Sequence, residues 1–136
     1  VSIDMNALLL RVAGDVFGDR VSIEAEGNSP SMPHAYVVRR REGGRNAVLV
    51  ASHEWSEAHI VDFRVTCTVF HYGDDEMEKE SALRALAVVL RAYMAGQGQV
   101  EHRPSLLWWR PDVPRYTVTI DGFEWRLGRH GWVTPI

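Results

Sequence analysis

The stretch that most constrains what this chain can fold into is DEMEKESALRALAVVLRAYMA, Asp75 to Ala95. Leu83, Leu86, Ala87, Leu90 and then Tyr93 or Met94 recur at the i, i+3, i+4, i+7 spacing that lines one face of a helix. Both ends carry boundary signals. Asp75, with Glu78 three residues on, is a variant of the capping box, whose side chains take up N–H groups left without partners in the first turn. Gly96 stands where a left-handed residue after the helix costs least. Acids in the first turns (Glu76, Glu78, Glu80) and Arg91 near the end suit the macrodipole. Ala87-Val88-Val89-Leu90 is apolar all round, which calls for protein on more than one side.

The rest of the chain offers mainly strands to cover that helix. Residues 3–13 read as a short helix capped by Asp4 and ended by Gly14, with Val16-Phe17-Gly18 as a linker. Val21, Ile23 and Ala25 alternate with polar residues as a half-exposed strand. Ala35–Arg41 and Asn46–His53 flank Gly43-Gly44 as a hairpin, and Arg39, Arg40, Arg41 and Arg45 at its tip are the usual defence against edge pairing. Ser52–His59 (SHEWSEAH) reads as a polar loop anchored by Trp55. Ile60–Phe70 reads as one strand, with Val61, Phe63, Val65, Cys67 and Val69 facing one way.

After the long helix, Gly96-Gln97-Gly98-Gln99 reads as a flexible connection and Ser105–Trp109 as a strand. Tyr116–Ile120 and Phe123–Leu127 form a hairpin around Asp121-Gly122, a strong signal for a two-residue turn. That turn pairs Ile120 with Phe123, Val118 with Trp125, and Tyr116 with Leu127, all on one face. Trp132-Val133 adds a short last strand. The expectation is a single α+β domain over residues 1–136: a twisted, mainly antiparallel sheet built from hairpins. It packs against one long helix (about 75–95), with a short N-terminal helix.

Function is less legible. A formal net charge of −3 argues against a dedicated nucleic-acid binder. The longest apolar run, Ala85–Leu90, cannot span a bilayer, and the start of the sequence, with Asp4 and no basic leader, leaves a cytoplasmic location as the default. Cys67 is the one cysteine, placed on an apolar strand face where a thiol is inert. His53, Glu54, Glu57 and His59 lack the paired histidines of a zinc helix, and no phosphate-loop, nucleophile-elbow or dinucleotide motif occurs. The expectation is therefore no catalytic residue, no metal and no cofactor.

Two clusters point to a protein partner. Trp108, Trp109 and Arg110 combine residue types enriched at interaction hot spots, and adjacent strand tryptophans face opposite ways. Asp74, Glu76 and Glu78, with Asp75 and Glu80 beside them, exceed what capping requires, and Glu54 and Glu57 extend this acidic surface if residues 52–59 fold nearby. The C-terminal run WWRPDVPRYTVTIDGFEWRLGRHGW, following RALAVVLRAYMAG, resembles small actinobacterial polymorphic-toxin immunity proteins over about the last 55 residues. That resemblance implies a non-enzymatic cytoplasmic protein that blocks a toxin domain without a cofactor, and it assigns no individual residue. The rival expectations are a secretion or assembly chaperone for a client protein, and a small ligand-binding domain or enzyme with a pocket between sheet and helix.

Overall fold

Capping carboxylates set where the two helices begin. The computed structural model describes residues 3–18, 21–25, 34–40, 46–103, 113–128 and 131–133. Helix α1 spans Met5–Phe17, with the Asp4 carboxylate accepting from the Ala7 N–H at 3.1 Å. It does not stop at Gly14. That glycine is exposed within the helix, and the extra turn buries Phe17 before Gly18 ends it at φ 58°. Helix α2 spans Glu76–Met94, and Asp75 accepts from the Met77 N–H at 3.0 Å. Gly96, at φ 80°, closes it as expected. The Gly96 N–H donates to Tyr93 O at 3.0 Å and the Gln97 N–H to Ala92 O at 2.9 Å, the two bonds of a Schellman motif.

The helices lie side by side and run the same way. Arg11 meets Glu80 at 2.6 Å, Arg84 meets Asp15 at 2.8 Å, and the Arg91 guanidinium donates to Val16 O at 3.4 Å. Exposed pairs of this kind contribute little stability and mainly fix register. Beneath them Leu8, Leu9, Val12, Leu83, Leu86 and Leu90 are buried.

Among the described residues the strands are β1 (Val21–Ala25), β2 (His34–Arg40), β3 (Asn46–Ala51), β4 (Trp55–Ile60), β5 (Val65–Phe70), β6 (Gln99–Arg103), β7 (Val113–Ile120), β8 (Phe123–Leu127) and β9 (Gly131–Val133). They pair into two sheets, where the sequence suggested one. The larger has the order β1-β2-β3-β4-β5-β9, antiparallel throughout except for the parallel β5–β9 pair. The smaller has the order β6-β7-β8. Both helices pack on the larger sheet, so the helical layer is a pair rather than one long helix. No described helix is long and apolar enough to cross a membrane.

Several boundaries differ from expectation for identifiable reasons. Trp55–Ile60 is strand β4, not a loop. Its inward positions, Ser56, Ala58 and Ile60, are mostly small because α2 crosses there, so the segment lacks the bulky alternation that marks a strand. Residues 60–70 are not one strand: Ile60 pairs with Val65 around a loop at 61–64, with Arg64 at φ 55°. Val61 is consequently exposed, while Val65, Cys67 and Val69 are buried as expected.

Strand β6, Gln99–Arg103, begins inside the segment expected to be a flexible connection. In the first hairpin Arg39 pairs with Asn46, whereas a two-residue loop closing directly on Gly43-Gly44 would set Arg39 opposite Val48. The tip of that hairpin lies outside the described residues, as does the expected strand at 105–109. The Asp121-Gly122 hairpin has the expected register, with both turn residues at positive φ (50° and 81°).

The two sheets join along β5. Thr66 and Gly128 form an isolated antiparallel bridge, with N–H···O distances of 2.7 and 3.2 Å, just before the chain returns as β9 beside β5. Tyr116, Val118 and Leu127 of the small sheet belong to the same buried cluster as the helix pair and the larger sheet.

Candidate functional site

The start of α2 rests on a buried cation. Lys79 precedes Leu83 by four residues and so lies on the apolar face, where its side chain is only 3% exposed. A buried ammonium requires acceptors for its protons. Lys79 Nζ finds them in His53 O, in His71 O at 2.9 Å, and in His71 Nδ1 at 3.3 Å. The Ser56 hydroxyl lies 2.7 Å from His71 Nε2. Strands β4 and β5 and helix α2 are thereby stitched together at one corner.

That chain of groups has the outline of a nucleophile and base but the opposite polarity. An ammonium has no lone pair, so His71 Nδ1 is the acceptor and a neutral ring carries its proton on Nε2. Nε2 then donates to Ser56 Oγ and cannot take a proton from it. Burial lowers the His71 pKa below its usual value; the backbone carbonyls of His71 and His53 oppose that shift and the Lys79 charge adds to it, so the neutral form is the native one. Ser56 is also fully buried. The arrangement is a structural brace that ties the start of α2 at Lys79 to the carbonyls of His53 and His71.

What the brace supports is exposed. Of four large apolar side chains exposed among the described residues, Tyr72 (66%) and Met77 (79%) both fall in this segment. Tyr72 is held by stacking on Phe70, ring centroids 5.7 Å apart and 13° from parallel. Asp74, Asp75, Glu76 and Glu78 of the same segment are exposed as well, with Arg11 reaching Glu76 at 4.0 Å. Glu54 joins the same corner, because its carbonyl accepts from the His71 N–H at 2.9 Å; its side chain is exposed. Glu80 is separate: the Arg11 guanidinium holds its carboxyl below the usual range, and Arg84 shares it at 3.4 Å.

Glu57 does not extend this surface. Alternation along β4 turns it to the sheet face opposite the helices, where it meets His59 at 2.6 Å and accepts from the Thr68 hydroxyl at 2.9 Å. Trp108, Trp109 and Arg110 lie outside the described residues. Sequence reasoning missed Tyr72, Met77 and Lys79. A signal for two of them was present: Lys79 is a lone charge on the apolar helix face, and Met77 is an apolar residue set among the acids of the first turns.

At the other end of α2 a cavity of about 340 Å³ opens between the helix, the 61–64 turn and the small sheet, lined by Asp62, Phe63, Tyr93 and Tyr116 with the Gly96–Gly98 backbone and Val100. Comparison of the chain with protein-family models, curated proteins and solved structures returns no match, so the geometry of these two places carries the functional reading.

Proposed function

We propose that this chain is a non-enzymatic protein-binding domain whose contact surface is the braced corner at the start of α2. The observation that carries the reading is that two exposed apolar side chains, Tyr72 and Met77, occur in one short segment with the exposed acids Asp74, Glu76 and Glu78, and that the backbone of the exposed Glu54 is bonded to the start of that segment. Apolar anchors beside charged groups are the anatomy of a specific protein interface, and a mainly acidic surface, here with Arg11 reaching Glu76 at 4.0 Å, selects a basic partner and speeds encounter. The hydrogen-bonded base beneath it, Lys79 with His53, His71 and Ser56, favours a low entropy loss on binding.

The partner class that fits is a basic protein surface. In the most concrete form of the proposal the chain is an immunity protein that covers the basic, phosphate-binding cleft of a toxin domain, its carboxylates standing where phosphates would sit. The decisive experiment mixes the purified protein with the product of a toxin-bearing neighbouring gene and measures both complex formation and toxin activity. A stable complex that silences the toxin supports the proposal. A toxin left fully active at saturating protein overturns the immunity role.

The surface itself is tested by replacing Asp74, Glu76 and Glu78 with serine, sparing the capping Asp75. Association should slow and lose its salt dependence while unfolding stays cooperative. Association at the wild-type rate in low salt would move the contact surface elsewhere.

A further inference from the structure

An added proton on His71 has no free acceptor waiting for it. The residue is 1% exposed, its Nε2 lies 2.7 Å from Ser56 Oγ, and its Nδ1 lies 3.3 Å from Lys79 Nζ. Lys79 already holds the carbonyls of His53 and His71, and those are the two carbonyls that favour a charged ring. A protonated His71 stops accepting from Lys79 and sets a second positive charge beside the ammonium. It also competes with that ammonium for two occupied oxygens. The Nε2 side is indifferent, since Ser56 Oγ can accept from either form of the ring.

The groups facing His71 compensate little. From α2 they are Lys79 and Glu78, and of these only Glu78, exposed to solvent, favours the charged ring. From β4 and the residues before it they are the Ser56 hydroxyl, the His53 carbonyl and the Glu54 carbonyl, the last taken by the His71 N–H at 2.9 Å. None of its hydrogen-bond partners among the described residues is a carboxylate. We propose that His71 and Lys79 form an acid-sensitive latch, in which protonation of His71 frees Lys79 and releases the start of α2 from strands β4 and β5.

Tyr72 adjoins His71 in the chain and Met77 precedes Lys79 by two residues, so the latch acts on both apolar anchors of the acidic corner. Acidification then weakens partner binding, and that consequence alone rests on the contact surface proposed above. The direction follows from the proton balance. Burial, with the Lys79 charge added, holds the folded pKa below 6.5, and opening returns it toward 6.5. Opening therefore takes up a proton. Between about pH 6.5 and the folded value, each unit of acid should raise the open population about tenfold.

The test follows isotope-labelled free protein by NMR from about pH 7.5 to about pH 4.5, reading the His71 ring nitrogens. The His71 and Lys79 amides, which donate to Glu54 O and Asp75 O, report opening through their exchange protection, corrected for intrinsic rate. Both should lose about tenfold in protection per pH unit as the ring titrates, while Val118 and Trp125 keep theirs. His71→Gln should abolish the loss. A ring that titrates with both amides still protected overturns the latch. So does a ring that stays neutral until the whole chain unfolds, or a loss that persists in His71→Gln. The product of the toxin-bearing neighbouring gene tests the consequence: acid should weaken its binding to wild type and not to His71→Gln. An opened latch with the partner still bound supports the latch and overturns the contact surface.

Discussion

Gly98 is the position where one methyl group matters most. Its φ is +80°, and a Cβ there would meet both Thr117 O and the Tyr116 hydroxyl oxygen at 2.6 Å. Gly98→Ala therefore combines backbone strain with a clash against a strand carbonyl that cannot swing away. Urea denaturation should register a loss of about 2–4 kcal/mol. His71 answers to protons instead. Its folded pKa lies below the unfolded value of 6.5, chiefly through burial, so the unfolded chain binds the proton more readily. The contribution to stability is therefore fully present above about pH 6.5 and is lost as pH falls toward the folded value. The unfolding midpoint should drop between about pH 7 and pH 5. His71→Gln, which retains an acceptor for Lys79 and a donor for Ser56, should flatten that drop. A variant as pH-sensitive as the wild type would place the titrating group elsewhere. The residues of this brace were only partly legible. Lys79 announces itself by spacing, but its acceptors at positions 53 and 71 belong to chain segments that meet only once the sheet has formed.

At the scale of elements, legibility tracked how strongly local chemistry agreed with tertiary demand. Asp121-Gly122 needs two positive φ values, and the flanking alternation allows one register, so turn and pairing were both readable and both occur. Gly122→Val should cost about 1–2 kcal/mol, since open space around its Cβ leaves only the backbone penalty at φ +81°. An unchanged midpoint would contradict that turn geometry. Strand β4 was illegible because its buried face is built of Ser56 and Ala58, small enough for α2 to cross closely, and small inward residues read as loop. Helix α1 overran its apparent stop for a related reason. A helical glycine costs about 1 kcal/mol relative to alanine, less than burial of Phe17 returns. Gly14 is solvent-facing with nothing within 4 Å of an added Cβ. Gly14→Ala should therefore stabilise the protein by up to about 1 kcal/mol, seen as a higher denaturant midpoint.

For the whole molecule the question is whether two sheets make one cooperative unit, and the joints between them argue that they do. The Thr66–Gly128 bridge ties the end of β8 to β5, and the chain then re-enters the larger sheet as β9. Peeling away the small sheet would strip that edge as well. Inside, the Tyr93 ring lies against Tyr116 at 5.4 Å and Phe63 at 6.2 Å, so a helix side chain bridges the small sheet and the 61–64 turn. Each part has its own reporter. Cys67, in the larger sheet, is fully buried, and burial, with the nearby Glu57 charge second, pushes its thiol up to about 12, so native protein should react with a thiol reagent only through unfolding. Amide exchange at Val118 and Trp125 reports on the small sheet. The two probes should share one denaturant midpoint in the wild type. Tyr93→Leu removes both ring pairs and the hydrogen bond to Asp62, a loss of about 2–4 kcal/mol. Because that loss falls on the joint, Val118 and Trp125 should open before Cys67 becomes reactive. Free exchange of the small sheet in the wild type, at denaturant concentrations where Cys67 is still protected, would show that the sheets are coupled by sequence alone.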